Sequence, residues 1–280
     1  MADRIWFITG ASRGFGREWT KAALERGDRV AATARDTATL DDLVAEHGDA
    51  LLPLALDVTD RDAAFAAVRQ AHERFGRLDI VINNAGYGQF GMVEELSEAD
   101  ARDQIETNLF GALWVTQAAL PFLREQGSGH IIQVSTIGGV NAFPGIGLYH
   151  ASKWGLEGFS QALAAEVAGF GIKVTLVEPA GFSTDWRGPS AVVADPMPEY
   201  EEIRNYRAAR STDANELWEP GDPQATGPAI LELVDAEEPP LRTFFGTGTL
   251  DMIRAEYAKR IENWENWDHL AVAAQGGVKA

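Results

Sequence analysis

The 280-residue chain contains no cysteine, which excludes disulfide bonds, thiolate catalysis and cysteine-ligated metal sites. Its five histidines are scattered without the spacing typical of metal ligands, so we expect no bound metal. They are His47, His72, His130, His150 and His269. The sequence also lacks a secretory signal pattern and an apolar run long enough to cross a bilayer. These absences predict a soluble, cytoplasmic protein.

Basic residues are few: 24 lysines and arginines stand against 42 aspartates and glutamates, for a formal net charge of -18. A surface this acidic repels nucleic acid and anionic membranes, so neither is expected as a partner. An anionic cofactor would need a local group of basic side chains. The hydrophobic fraction of 45% is sufficient for a large core.

Short apolar segments alternate with longer amphipathic ones over most of the chain. Strands are predicted at 4–9, 29–34, 51–56, 78–82, 130–135, 173–177 and 241–245. Helices are predicted at 14–26, 40–47, 62–75, 100–126 and 149–168. This alternation indicates parallel strands joined by right-handed crossovers, with helices on both faces. The predicted fold is a single doubly wound, Rossmann-like α/β domain over residues 1–280, with about seven strands.

Two segments depart from this alternation. The stretch 181–240 is rich in Pro, Asp and Glu, and insertions of this length are typical of a functional lid or a mobile linker. We interpret it as a substrate lid, with interleaved aromatic residues at Trp186, Tyr200, Tyr206 and Trp218. The residues after about 270 are predicted to form a loose C-terminal tail.

A glycine-rich segment runs from Gly10 to Gly16 between the first predicted strand and the first predicted helix. Its glycines, at 10, 14 and 16, do not have the G-x-G-x-x-G spacing. They would still allow the backbone to approach a pyrophosphate at a helix N-terminus. The pattern also fits an ordinary strand–helix turn, and its position after the first strand favours nucleotide binding.

Tyr149 and Lys153 are four residues apart in a predicted helix and therefore share a face. A tyrosine with a pKa of roughly 10 exchanges protons poorly at neutral pH, and a nearby ammonium is expected to lower that pKa. The pair alone equally fits a half-exposed face with a snorkelling lysine. Ser135 ends the preceding predicted strand, at the edge where ligands bind in such sheets, which favours catalysis.

Together these motifs resemble the short-chain dehydrogenase/reductase family, over roughly residues 5–184. The similarity rests on an ordered series that includes the T-G-x-x-x-G-x-G pattern. Its members are Thr9–Gly16, Asn83–Gly86, Asn108, Ser135, Tyr149–Lys153 and Pro179–Thr184.

The resemblance implies an oxidoreductase that moves a hydride between a nicotinamide cofactor and a carbonyl or secondary alcohol. Tyr149 would be the acid/base and Ser135 would polarise the substrate oxygen, although Ser135 could instead cap a turn. Asn108 would hold a water that relays protons to Lys153, although a buried amide satisfied by backbone is a rival interpretation. The implied cofactor contacts are Gly10, Ser12, Arg13, Gly14, Phe15, Gly16, Arg35, Asp57, Val58, Asn84, Ala85, Gly86, Tyr149, Lys153, Pro179, Gly181, Phe182 and Thr184.

Cofactor preference depends on the end of the second predicted strand, where NAD enzymes usually place an acid. The corresponding residue here is Ala34, and Arg13 and Arg35 match the positions that bind a 2′-phosphate in the family. Asp36 would repel a phosphate if it faced the ribose, but we interpret it as a solvent-facing turn residue. NADP(H) is therefore favoured over NAD(H). An NAD-dependent alcohol dehydrogenase and a catalytically silent nucleotide sensor are the alternatives.

The segment after the sixth predicted strand departs from the family pattern, because Ala180 replaces the usual glycine; Gly181 beside it could compensate. An apolar substrate wall suits a hydrophobic ketone, although lid packing explains the same residues. The candidate wall residues are Ile137, Phe143 and Trp186. The resemblance also implies a homodimer or homotetramer formed through the predicted helices 100–126 and 149–168.

Overall fold

A seven-stranded parallel sheet lies at the centre of the computed structural model, which describes residues 3–188, 190–205 and 220–276. The strand order is β3-β2-β1-β4-β6-β7-β9. These strands are β1 (Ile5–Ile8), β2 (Arg29–Ala34), β3 (Leu51–Ala55), β4 (Ile80–Asn83), β6 (Gly129–Val134), β7 (Ile172–Pro179) and β9 (Arg242–Phe245). Because the order reverses between β1 and β4, the sheet is doubly wound, and the predicted fold class is confirmed.

Helices cover both faces of this sheet. In chain order they are α1 (Gly14–Glu25), α2 (Asp41–His47), α3 (Arg61–Phe75), α4 (Glu98–Ile105), α5 (Gly111–Gln126), α6 (Gly147–Val167), α7 (Thr226–Asp235) and α8 (Thr249–Ala274). Alternate strand residues point to opposite faces: Ile5 and Phe7 pack in a core with α3, α5 and α6, while Trp6 and Ile8 pack in a core with α1, α2 and α7. The two buried layers fix the carboxyl ends of the strands at one edge.

The long helix predicted at 100–126 is three segments. It begins at Glu98, where Ser97 and Asp100 form a capping box, and a π-helical turn at Glu106–Phe110 separates α4 from α5. Asn108 lies buried within this turn. A π turn inserts one extra residue into a helix and is frequent at functional sites.

The predicted insertion at 181–240 extends too far towards the C-terminus, because it includes a core helix. Helix α7 packs against α1 and buries Ile230, Leu233 and Val234 in the core, so it belongs to the sheet-covering layer. Helix α8 continues to Ala274, so the segment after about 270, predicted to be a loose tail, begins as exposed helix. The predicted lid residues Tyr206 and Trp218 lie outside the described residues.

The first part of the insertion forms a small second sheet with the loop after β4. Strand β8 (Val192–Val193) pairs in parallel with β5 (Gln89–Phe90). The Val192 N–H donates to the Gly88 carbonyl over 3.0 Å, and the Ala194 N–H donates to the Phe90 carbonyl over 2.8 Å. This pairing places the segment over the carboxyl edge of the large sheet.

Candidate active site

The glycine-rich loop is held against the end of β4 by backbone and side-chain hydrogen bonds. Thr9 Oγ1 accepts from the Asn84 and Ala85 N–H groups over 2.9 and 3.0 Å, and Asn84 Nδ2 donates to the Thr9 carbonyl over 2.9 Å. Gly10 has φ +66°, and a Cβ there would lie 2.9 Å from the Ala85 Cα. Glycine is therefore required where the two loops meet.

A cavity of about 990 Å³ opens at this edge of the sheet. It brings together most residues that the sequence assigns to a site. Those lining it are Gly10, Ser12, Arg13, Gly14, Phe15, Arg35, Asp57, Val58, Asn84, Ala85, Gly86, Ser135, Ile137, Phe143, Tyr149, Lys153, Pro179, Gly181, Phe182, Thr184 and Trp186. Two predicted residues do not line it: Gly16 packs behind the loop against Gly10, and Asn108 is buried behind the wall.

Basic side chains mark the end of the cavity near β2. Arg13 and Arg35 both line it, whereas Asp36 is exposed and is absent from its lining. The Asp36 carboxylate accepts from the Ala38 N–H over 3.0 Å and caps the following turn. Asp36 is therefore a solvent-facing turn residue, as interpreted from the sequence.

Asp57 also lines the cavity near the Arg35 end. Its carboxylate accepts from the Thr59 N–H over 3.0 Å and from the Thr59 hydroxyl over 2.8 Å. Helix α3 is capped instead by Asp60, which accepts from the Ala63 N–H over 2.9 Å. Asp57 therefore does not cap α3.

Tyr149, Lys153 and Ser135 lie together on the buried wall of the cavity. Tyr149 and Lys153 are 6% and 5% exposed, and Lys153 Nζ lies 6.0 Å from the Tyr149 ring centroid. Lys153 Nζ donates to the Val134 carbonyl over 2.7 Å. The Ser135 hydroxyl is buried and has no hydrogen-bond partner among the described residues. An unpaired buried hydroxyl carries a desolvation cost that a bound polar group would relieve.

The acid–base properties of the pair differ from the sequence-based expectation. Burial raises the pKa of Tyr149 above its usual value, and a hydrogen bond with Thr136 only partly offsets this. Burial also lowers the pKa of Lys153 to about 8. The expected lowering of the Tyr149 pKa by Lys153 is therefore not found, because burial of the hydroxyl dominates.

Asn108 holds the backbone that follows β4. Its Oδ1 accepts from the Tyr87 N–H over 3.0 Å, and its Nδ2 donates to the Tyr87 carbonyl over 2.9 Å and to Ser152 Oγ over 3.2 Å. A Cβ on Gly86 would lie 3.0 Å from Asn108 Oδ1 and 3.7 Å from Lys153 Nζ. The Asn108 amide is thus close to Lys153 and bonded to neighbouring groups.

A buried acid pair lies next to these residues and was missed from the sequence. Glu157 follows Lys153 by one turn of α6, and Glu178 lies on β7; both are buried. Arg242 Nε lies 2.9 Å from Glu157 Oε2 and 3.6 Å from Glu178 Oε1. Burial and the neighbouring Glu157 raise the pKa of Glu178 to about 8. No local spacing links these three residues, which come from three different elements.

Gly246, and not the neighbouring Gly181 as expected, makes room for Ala180. Ala180 continues the sheet, donating from its N–H to the Phe245 carbonyl over 2.8 Å. A Cβ on Gly246, which has φ +107°, would lie 2.9 Å from the Ala180 Cβ. Gly246 therefore provides the space that Ala180 needs.

Aromatic side chains form the outer wall of the cavity. The Trp186 ring centroid lies 5.0 Å from that of Tyr149 and 5.2 Å from that of Phe90. Phe143 lies beside His150 at 5.6 Å, and Ile137 also lines the cavity. The segment from Trp186 to β8 thus closes one side of the space above Tyr149.

The insertion is fastened to the body of the protein by an acidic pair. Glu95 Oε1 accepts from the Met197 N–H over 2.8 Å and pairs with Arg204, while Glu95 Oε2 accepts from the Met92 N–H over 2.7 Å. Glu94 Oε2 accepts from the Tyr200 hydroxyl over 2.6 Å. These contacts hold the predicted lid beside the cavity.

Comparisons with known proteins agree with this arrangement. A family model described as short chain dehydrogenase matches residues 4–191. The chain is 42% identical over 272 residues to the oxidoreductase BOA17 of Botryotinia fuckeliana, covering 97% of this chain and 99% of that protein. It is 36% identical to a 3-ketodihydrosphingosine reductase of Bacteroides thetaiotaomicron, covering 88% and 89%.

A solved structure gives the same result. The short-chain dehydrogenase from Streptomyces avermitilis is 37% identical, superposes with a TM-score of 0.89, and covers 98% of each chain. Within the described residues, no helix is long and apolar enough to cross a membrane. From the family match over two thirds of its length, and from relatives aligned along nearly all of it, the chain belongs to the short-chain dehydrogenase/reductase family of oxidoreductases.

Proposed function

We propose that this oxidoreductase reduces a hydrophobic ketone with NADPH, and catalyses the reverse oxidation of a secondary alcohol. One observation carries the proposal: Tyr149, Lys153 and Ser135 share a cavity whose other end is lined by Arg13 and Arg35. A site with acid–base groups at one end and two guanidiniums at the other suits a phosphorylated dinucleotide and a carbonyl substrate.

The residues present fit such a cofactor. Gly14, the first residue of α1, lines the cavity, so the helix N-terminus would face a pyrophosphate, and Arg13 and Arg35 would hold a 2′-phosphate. Asp57 would contact the adenine amino group, as the family resemblance implies. When bound, the reduced cofactor supplies the hydride for the carbonyl carbon.

The chain's own groups would then act on the carbonyl oxygen. Ser135 donates a hydrogen bond to that oxygen, and the Tyr149 hydroxyl donates a proton to it. The raised pKa of Tyr149 keeps this hydroxyl protonated before reduction. The Lys153 ammonium then stabilises the tyrosinate, and Asn108 holds the backbone beside it, where the family places a relay water.

The apolar wall and one relative support the substrate class. Ile137, Phe143 and Trp186 present apolar surface to the space above Tyr149. The Bacteroides relative is named as the reductase of a 3-keto compound. By resemblance to the family, we also propose a homodimer or homotetramer through α5 and α6.

The test is turnover of NADPH and of NADH with a panel of ketones and aldehydes, with Tyr149→Phe as the control. We expect NADPH-dependent turnover that Tyr149→Phe lowers by roughly 100- to 10,000-fold, the usual contribution of general acid catalysis. Preference for NADH would favour an NAD-dependent alcohol dehydrogenase. Tight binding of NADPH without turnover would favour a nucleotide sensor.

A further inference from the structure

The last helix, α8, leaves the body of the protein partway along its length. Ile253 anchors its first turns in the body and is 9% exposed. From Ile261 to Gly276 every residue is exposed. The 14 helical residues from Ile261 to Ala274 correspond to about 21 Å of projecting helix. Isolated helices of this length are marginal in water, so a stable arm requires a surface to pack against.

One face of this arm is apolar and continues the face that is buried at its base. Ile253, Tyr257, Ile261 and Trp264 follow one another at spacings of three and four residues, which places them on one side of the helix. Trp264 is 64% exposed and Ile261 is 49% exposed. Trp267, three residues further on, is 58% exposed. A continuous aromatic stripe of this kind marks an interaction surface.

A second exposed aromatic surface lies at the base of the same helix. The Arg260 guanidinium lies 5.0 Å from the Trp154 ring and 5.2 Å from the Tyr257 ring. Trp154 on α6 is 41% exposed and Tyr257 is 38% exposed. The molecule therefore carries aromatic surface both on the arm and beside its base.

The charges along α8 favour a second copy of the same helix as the partner. Residues 249–260 carry Arg254, Lys259 and Arg260 against two acids, whereas residues 261–274 carry Glu262, Glu265 and Asp268 and no lysine or arginine. Two copies of this helix in antiparallel orientation place the acidic half of each against the basic half of the other. A two-fold axis repeats every such contact, so a second copy of this chain satisfies the same charge pattern twice.

We propose that α8 is the arm of a homodimer, pairing antiparallel with α8 of a second copy about an axis near Ile261. In this register Arg254 and Asp268 are equidistant from Ile261 and lie opposite each other in the pair. The tip of each arm, with Trp264 and Trp267, covers the base of the other, where Trp154 and Tyr257 are exposed. This interface is separate from the one that family resemblance implies for α5 and α6.

A cysteine cross-link tests the register, and the absence of native cysteine makes it unambiguous. Under mild oxidation of the full-length protein, Ile261→Cys is expected to give a covalent dimer, because side chains at the axis of a helix pair are within disulfide reach. Lys259→Cys places its thiol on the opposite side of the same helix and is the matched control. No cross-link at 261, or equal cross-linking at both positions, would overturn the proposal.

Light scattering of the full-length protein tests the interface itself. The Trp264→Glu/Trp267→Glu variant is expected to halve the molar mass of the assembly. Arg254→Asp is expected to weaken it, and Arg254→Asp/Asp268→Arg to restore it. An unchanged mass in the double tryptophan variant would show that another part of the chain or a different partner covers the stripe. If that variant does not fold, the cross-link and the charge exchange decide.

Discussion

At the scale of single residues, the proposed chemistry depends on how the Lys153 ammonium is held. Burial lowers its pKa to about 8, and the negative charge of Glu157, one turn later on α6, acts in the opposite direction. Glu157 is itself paired with Arg242 from β9 and faces Glu178 from β7. Lys153 Nζ lies near the Tyr149 ring as well. Glu157 thus helps to keep the ammonium charged at neutral pH.

Replacing Glu157 with glutamine is expected to move the alkaline limb of the activity profile to lower pH. Without this carboxylate the pKa of Lys153 falls below about 8. The ammonium that would stabilise the tyrosinate is then lost at a pH closer to neutrality. The measurement is kcat against pH for the wild type and Glu157→Gln.

The neighbouring Glu178 provides the control for this experiment. Its pKa of about 8 keeps it protonated at neutral pH, where a glutamine carries the same zero charge. Glu178→Gln is therefore expected to leave the profile unchanged below about pH 8. Equal shifts in Glu157→Gln and Glu178→Gln would show that packing, and not the charge of Glu157, is responsible.

Arg35 gives a second prediction at the residue scale, which concerns cofactor choice. Arg35→Asp is expected to raise KM for NADPH by roughly 10- to 100-fold, matching the about 1.5–3 kcal/mol of a hydrogen bond to a charged group. Preference should move towards NADH. Asp36→Asn retains an acceptor for the Ala38 N–H and should leave the preference unchanged. Unchanged NADPH affinity in Arg35→Asp would contradict the NADP assignment.

At the scale of elements, the sequence predicts what periodicity and local spacing encode. The strands, the glycine loop and the Tyr149–Lys153 face all follow from such patterns. The π turn at Glu106–Phe110 does not; it contains Asn108, which binds the Tyr87 backbone from 21 residues away. Helix α8 was missed because its outer half buries no face against the residues that the structure describes.

Contacts between distant elements explain the remaining differences. Glu157, Glu178 and Arg242 meet only once α6, β7 and β9 are assembled, so their shared site has no sequence signature. Helix α7 was assigned to the insertion because the polar segment before it obscures its amphipathic pattern. Most of the cavity lining was predicted from the resemblance to the short-chain dehydrogenase/reductase family, whose motifs lie where the carboxyl ends of the parallel strands converge.

The attachment of the lid to Glu95 gives a prediction at the element scale. Glu95→Ala removes the acceptor for the Met197 N–H and the partner of Arg204. The segment around β8 should then open more often, and KM should rise most for bulky ketones that need the Trp186 wall. The expected increase is about 5- to 30-fold, the equivalent of 1–2 kcal/mol.

The control for the lid experiment is Glu94→Ala, which removes a more exposed contact with Tyr200 and should have a smaller effect. Limited proteolysis between 190 and 205 provides an independent measure of opening. A uniform rise in KM for small and large ketones would contradict a role for Glu95 in substrate closure.

At the scale of the whole molecule, buried titratable groups determine how stability depends on pH. Glu178 has a pKa raised from 4.5 to about 8, so the folded state retains a proton that the unfolded state loses. The stability that this proton provides is complete below pH 4.5 and is lost as the pH rises through 8. His130 acts on the acid side: its pKa falls from 6.5 to about 3, and its contribution is lost as the pH falls through that range.

Thermal unfolding should therefore show a Tm that decreases between about pH 6.5 and pH 8 in the wild type, above the range of His130 and below that in which Lys153 acts in the opposite direction. Glu178→Gln is expected to flatten this decrease, because its amide does not titrate. A wild-type Tm that is constant over this range would contradict the buried protonated state of Glu178.

The pairing of β9 with β7 has a consequence for synthesis of the chain. Every residue assigned to the chemistry precedes residue 185, but β7 acquires its outer neighbour only from Arg242–Phe245. Until those residues leave the ribosome, β7 has an unpaired edge next to the nascent site, and such edges invite association with other chains. The polypeptide thus carries every side chain proposed to be catalytic well before it can hold them in the complete seven-stranded sheet. Ribosome-bound fragments that end before residue 240 should consequently require chaperones.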